Sequence, residues 1–164
     1  MNEQELQALY SQVLDLSQNI PNSQRLEDAD ATVTMVSPLC GSQISVDLKL
    51  RNGIIEGFGQ KVRACTLGAA AAAMVGARVV GRPATELQAL RETMHGMLKE
   101  NGPPPHGDWQ QLAILQAAQD LVSRHGSIML VFDAIGTAIE EIQGQSGNTG
   151  PAPPGKGIPD TVRA

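Results

Sequence analysis

The chain has 164 residues, a formal net charge of -5, 41% hydrophobic residues and only 2% aromatic ones, so one domain with a core of Ala, Val, Leu, Ile and Met is expected. An acidic balance with no basic stripe and almost no stacking aromatics argues against nucleic acid as a partner. No apolar run is long enough to span a bilayer, no secretory leader is visible and no phosphate-cradling glycine motif occurs, so a cytoplasmic location away from membranes is expected and nucleotide chemistry is unsupported.

Residues 2–18 place Leu6, Leu9, Tyr10, Val13 and Leu14 at helical spacing, and Ile20-Pro21-Asn22 stops that helix. A short strand is expected over 32–36. Ile44, Val46, Leu48 and Leu50 then alternate with polar neighbours as in a half-buried strand, Arg51-Asn52-Gly53 supplies a turn, and residues 54–64 return. A two-residue Asn52-Gly53 turn, kept in register, would set Val46 against Gly59. A three-residue loop pairs Leu50 with Ile54 and Val46 with Phe58, keeps the apolar residues on one face, and is preferred.

The only two cysteines, Cys40 and Cys65, stand at the open end of this hairpin, within a residue of alignment in either register. A modest bend or bulge there would bring both sulfurs to one ion. Thr66 reads as an N-cap, followed by the helix formers 69–74, with the helix ending near Gly81. That sets the sulfur of Cys65 at the positive end of a helix, where negative charge is stabilised. Lys61 and Arg63 alternate with Cys65 along the second strand.

Helices follow over 84–99, 108–123 and 127–142, with Asp108 and Gln111 reading as a capping box and Ser127 as an N-cap. His95 and His106 read as structural or solvated. His125, ahead of the last helix, is the one histidine placed to join Cys40 and Cys65, and with a water they would make a four-coordinate zinc set. Residues 1–143 form the expected domain, of α+β class, with a small three-stranded antiparallel sheet and helices packed on one face. Residues 144–164, rich in glycine and proline, read as a disordered tail.

Leu9-Tyr10-Ser11-Gln12-Val13, Cys40-Gly41-Ser42 before an alternating strand, Cys65 opening an alanine-rich helix, and Arg124-His125-Gly126-Ser127 opening the last helix occur in the order found in iron–sulfur scaffold proteins. The chain resembles the IscU/NifU N-terminal family over residues 5–142, and Met97-Leu98-Lys99, Gly107-Asp108 and the segment 112–119 look most like its SufU branch. The resemblance implies three cysteine ligands and one aspartate. Cys40 and Cys65 match the first two cysteines, Ser42 stands where the aspartate belongs, and Ser127 falls on the third cysteine. It also implies a cysteine desulfurase and other iron–sulfur assembly proteins as partners, while the family's Leu-Pro-Pro-Val-Lys chaperone motif is missing from residues 119–123.

Clusters are normally held by four thiolates, and serine is a weak ligand at neutral pH. The leading expectation is therefore a divergent scaffold or sulfur acceptor, not an enzyme, whose Cys40 and Cys65 bind zinc or iron or carry sulfur. The alternative is an interaction or regulatory paralogue that keeps the desulfurase-docking fold without assembling clusters. A thiol enzyme with Cys65 as nucleophile and His125 as base ranks last, because nothing in the sequence supplies an oxyanion site.

Overall fold

The computed structural model describes residues 2–39 and 41–147; Cys40 and the tail beyond Gly147 lie outside the described residues. In chain order come α1 (Glu3–Gln18), β1 (Ala31–Val36), β2 (Gln43–Arg51), β3 (Ile54–Arg63), α2 (Thr66–Gly76), α3 (Ala84–Lys99), a 3₁₀ segment (Gly107–Ala118) and α4 (Val122–Gly147). The strands form an antiparallel meander in the order β1-β2-β3. Ile44, Val46 and Leu48 of β2, Val33 of β1, and Ile55 and Phe58 of β3 are buried in the main core. Against them lie α4, across β1 and β2, and α2, beside β3, while α1 packs on α2 and α3 on α4. The α+β class with helices on one sheet face is what the alternation in β2 implied. Within the described residues, no helix is long and apolar enough to cross a membrane.

The hairpin corrects the preferred register. Asn52 (φ 53°) and Gly53 (φ 78°) form a two-residue turn in which Arg51 pairs with Ile54, the left-handed pair that a tight hairpin requires. The apolar mismatch is removed one step further on. Leu50 pairs with Ile55 but Lys49 pairs with Gly57, so Glu56 is an extra residue on β3. This bulge shifts the register to Leu48 against Phe58 and Ile44 against Val62.

The other sheet face is polar and covered by the α1–β1 connection. Asp47, 1% exposed, accepts hydrogen bonds from Arg25 Nε (2.5 Å) and Nη2 (3.0 Å), the Leu26 N–H (3.0 Å) and Thr32 Oγ1 (2.7 Å). Gly57 and Gly59 let this connection lie flat on the sheet. A Cβ on Gly59 would fall inside hard contact with the Gln24 carbonyl oxygen and 3.3 Å from the Leu26 nitrogen. Gly59→Ala should therefore cost about 1–2 kcal/mol through overpacking, read as a lower urea midpoint at unchanged slope; an unchanged midpoint would mean that the connection is not held here.

Further along the chain, α2 begins at Thr66, so Cys65 and not Thr66 is the N-cap. The helix ends at Gly76, short of the expected Gly81, where the Arg78 N–H turns back onto the Val75 carbonyl in a tightened i→i−3 bond. Residues 68–76 are all buried, as a helix lacking a polar face must be. The segment expected as an α-helix over 108–123 is a 3₁₀ helix, and the buried side chains Trp109, Leu112, Leu115 and Ala118 recur every three residues. That period makes a single stripe only at three residues per turn. The expected capping box is not made: Asp108 pairs with Arg82 at 2.8 Å, and Gln111 Oε1 accepts from Arg78 Nη1 at 3.0 Å.

Finally, α4 starts at Val122, five residues ahead of the expected start, and continues to Gly147. Ser127 is thus not an N-cap. It lies in the second turn, 1% exposed, facing α2.

Candidate functional site

Three elements meet at the open end of the hairpin. The N-cap residue Cys65 comes from the junction of β3 and α2, Ser42 precedes β2, and Ser127 projects from α4. The Cys65 thiol donates to Ser127 Oγ at 3.2 Å, Ser127 Oγ donates to Ser42 Oγ at 2.9 Å, and the Cys65 backbone N–H donates to the same Ser42 oxygen at 3.2 Å. Both serines are buried, while Cys65 is half-buried. The packing is tight because Gly68 of α2 faces Ser127 and lets α2 and α4 approach closely.

The loop before β2 is tied at its ends. The Ser37 N–H donates to the Ser42 carbonyl at 2.7 Å and the Gly41 N–H to the Ser37 carbonyl at 2.8 Å. Gly41 holds φ 73°, a conformation glycine adopts without penalty. Cys40 is carried by this loop in sequence, and its own position is outside the described residues.

Cys65 opens onto an apolar cleft of about 380 Å³ whose walls include Leu9, Tyr10, Val13, Leu67 and Leu121, with Arg124 at the edge.

His125 is used differently from the expectation that it stands beside Cys65. It is 4% exposed, and its Nε2–H donates to the carbonyls of Ala118 (3.0 Å) and Gln119 (2.9 Å), tying the end of the 3₁₀ segment to α4. Because both partners are acceptors, the ring proton sits on Nε2 and only Nδ1 keeps a lone pair. The ring borders a separate polar cavity of about 990 Å³ between α3 and α4, shared with His95, Lys99 and Asp133. The hydrogen-bond partner of the Cys65 thiol is Ser127, so the thiol–imidazole pair of a cysteine enzyme is not made. Among the described residues, no three His, Cys, Asp or Glu side chains form a metal-holding group. His106, Lys61 and Arg63 are exposed.

The joining of Ser42 and Ser127 was not legible as a contact in the sequence. The one signal was the run Ile128-Met129-Leu130-Val131-Phe132 directly after Ser127, which makes a buried hydroxyl there costly unless it is paired.

The sequence profile of the NifU-like N terminal domain matches residues 9–127. Comparison with curated proteins finds no match. Among solved structures, the N-terminal part of a nitrogen-fixing NifU-like protein from Brucella abortus is 37% identical, with a TM-score of 0.81 over 84% of this chain and 96% of that one. A scaffold protein described as putative for iron–sulfur assembly in the SUF system of Fervidobacterium islandicum shares the fold at 12% identity, with a TM-score of 0.74 over 80% of this chain and 97% of that one.

Proposed function

We propose that this chain, which belongs to the NifU-like N-terminal domain family, is a scaffold-type protein of iron–sulfur cluster assembly in which Cys40 and Cys65 bind a zinc or iron ion or accept sulfur. The observation that carries this is the meeting of Cys65, Ser42 and Ser127 within hydrogen-bond distance. The resemblance puts these residues at three of the family's ligand positions. Their meeting at the open end of the hairpin supports reading that place as the site, with two hydroxyls among its donors. Protein-bound thiols delivered at a helix N-terminus also suit receipt of sulfur from a cysteine desulfurase, the partner class this reading requires. Its setting is the cytoplasm, where thiols stay reduced.

Donor chemistry separates the possible cargoes. Zinc accepts two thiolates completed by water, the donor expected here because the His125 ring borders the separate cavity between α3 and α4. A cluster normally asks for four thiolates, and the sequence holds two cysteines.

The test is metal, acid-labile sulfide and persulfide content of protein purified anaerobically, for the native chain beside Cys40→Ser, Cys65→Ser and His125→Ala. The expected result is near-stoichiometric metal or sulfur in the native protein, lost in both cysteine variants. Loss in His125→Ala as well assigns the third donor to that histidine, and retention assigns it to water. A native protein free of metal, sulfide and persulfide would instead support the docking paralogue, the reading favoured by the hydroxyl pair Ser42–Ser127.

A further inference from the structure

The two edges of the sheet are finished differently. Along β3 the outward backbone groups are taken by the chain itself: the Ile55 N–H donates to the Arg82 carbonyl at 2.9 Å, the Gly81 N–H to the Ile55 carbonyl at 2.8 Å and the Gln60 N–H to the Asn22 carbonyl at 2.8 Å. Along β1, among the described residues, the backbone hydrogen bonds run to β2 and none to the outer side. The strand also lacks the devices that keep an edge from pairing. Ala31–Val36 holds no charge, no proline and no bulge, and the carboxylate of Asp30, next to it in sequence, is turned inward to accept from the Leu50 N–H at 2.9 Å.

The register leaves three residues to pair. The Ser37 N–H donates to the Ser42 carbonyl at 2.7 Å, which fixes the alternation: Ala31, Val33 and Met35 direct their backbone groups to β2, and Thr32, Thr34 and Val36 direct theirs away from it. On one side of these three, the Asp30 N–H is already given to the Leu48 carbonyl at 2.8 Å. On the other side, Pro38 has no N–H to give. Only one antiparallel pairing of this edge with itself then gives every remaining donor an acceptor, the one centred on Thr34. It sets Thr34 against its own copy, Thr32 against Val36 and Val33 against Met35, with about six backbone hydrogen bonds. No charge meets a like charge there, which a chain of net charge -5 needs wherever a two-fold axis brings a surface onto its copy. The side chains leave room for it. Thr34, 5% exposed, has its hydroxyl hydrogen-bonded with Ser45 Oγ at 2.7 Å within its own sheet, and Val36 is 54% exposed.

We propose that two copies of this chain join through β1 in a two-fold antiparallel pairing centred on Thr34, so that two three-stranded sheets become one of six strands. The occupant of the edge is a second copy because the stretch between Asp30 and Pro38 complements itself. Since β1 runs in opposite directions in the two copies, their hairpin mouths lie at opposite ends of the joined sheet, and each keeps its own access. The pairing is independent of what the thiols carry.

The experiment measures the molar mass of the full chain by sedimentation equilibrium across a range of concentrations in the presence of a reductant, with amide hydrogen exchange followed by NMR over the same range. The mass should rise with concentration toward about twice the 17.3 kDa of the chain. Exchange should slow in step at Thr32, Thr34 and Val36 and stay as it is at Val33 and Met35, whose N–H groups are already paired with β2. Val36→Pro removes one outward donor and no bond to β2, and Val36→Lys sets a charge on the edge. Each should keep the native melting temperature, hold the single-chain mass and leave the Thr32 and Thr34 amides in fast exchange. A single-chain mass throughout the range overturns the proposal, as does a doubled mass with those amides still fast or one that survives both variants. Protection of the three amides at the single-chain mass would mean that an extended peptide, not a second copy, takes the edge, and overturns it as well.

Discussion

Gly68→Ala should lower stability by about 2 kcal/mol and empty the site, although both cysteines remain. Alanine is favoured over glycine in a helix by about 1 kcal/mol, so propensity alone would predict a more stable protein. Packing decides against it. The added Cβ would fall inside hard contact with Ser127 Oγ, 2.9 Å from the Ser127 carbonyl oxygen and 3.2 Å from Ala64 Cβ. The hydroxyl can rotate away, but the carbonyl belongs to α4 and cannot, so α2 and α4 must separate. Overpacking against a helix backbone costs about 3 kcal/mol, the upper end of the usual range, which leaves about 2 kcal/mol after the gain in helix propensity. The same movement breaks the 3.2 Å contact between the Cys65 thiol and Ser127. Thermal unfolding should show a drop of about 4–8 °C, with any metal or sulfur taken up at the proposed site falling in parallel. An unchanged or raised melting temperature would show that helix propensity wins and that the α2–α4 contact is slack.

How the chain is legible follows from the range over which each signal acts. The alternation of Ile44, Val46 and Leu48 depends only on which sheet face is buried, and it yields the strand, the sheet and the side on which the helices lie. The helix α3 is found where its apolar spacing puts it, at Ala84–Lys99. The hairpin register is different, because the choice between a longer loop and a tight turn with a bulge depends on what covers the outer face. That face is taken by residues 22–30, which need Gly57 and Gly59 to point outward. The 3₁₀ segment differs from the expected α-helix because two neighbours at a spacing of three fit either helix, and only the full run of Trp109, Leu112, Leu115 and Ala118 separates them.

The site is partly legible for the same reason. The approach of Cys65 to the hairpin mouth is local and could be read from the strand pattern, and the resemblance placed Ser42 and Ser127 at ligand positions. Their mutual hydrogen bond joins residues 85 apart in sequence, and no local pattern encodes it. His125 was singled out by its neighbourhood in sequence. One residue from Arg124 and two from Ser127 along α4, its side chain leaves on another face and reaches the end of the 3₁₀ segment instead.

Asp47→Asn should destabilise the protein by about 2–3 kcal/mol at neutral pH and remove a part of its acid sensitivity. Burial of Asp47 opposes its charge, yet the hydrogen bonds from Arg25, Thr32 and the Leu26 N–H, helped by the Arg25 charge, hold its carboxyl below the usual carboxylate range. The asparagine amide would turn its N–H donors toward the guanidinium, hydroxyl and backbone N–H that donate to the carboxylate, leaving donors facing donors in a dry place. A lost charged hydrogen-bond partner at a buried position costs about 1–3 kcal/mol. Because the folded-state pKa lies below the unfolded value of about 3.9, the unfolded chain binds the proton first as pH falls. The stabilisation from Asp47 is thus fully present above about pH 5 and is lost as pH drops through the folded-state pKa. Urea midpoints from pH 7 to pH 2.5 should show the native and Asp47→Asn proteins well apart at neutral pH and converging in acid. Parallel curves would mean that the carboxylate contributes through shape and not charge, and coincident curves would remove the Arg25–Asp47 pair as the clasp that fastens the α1–β1 connection to the sheet.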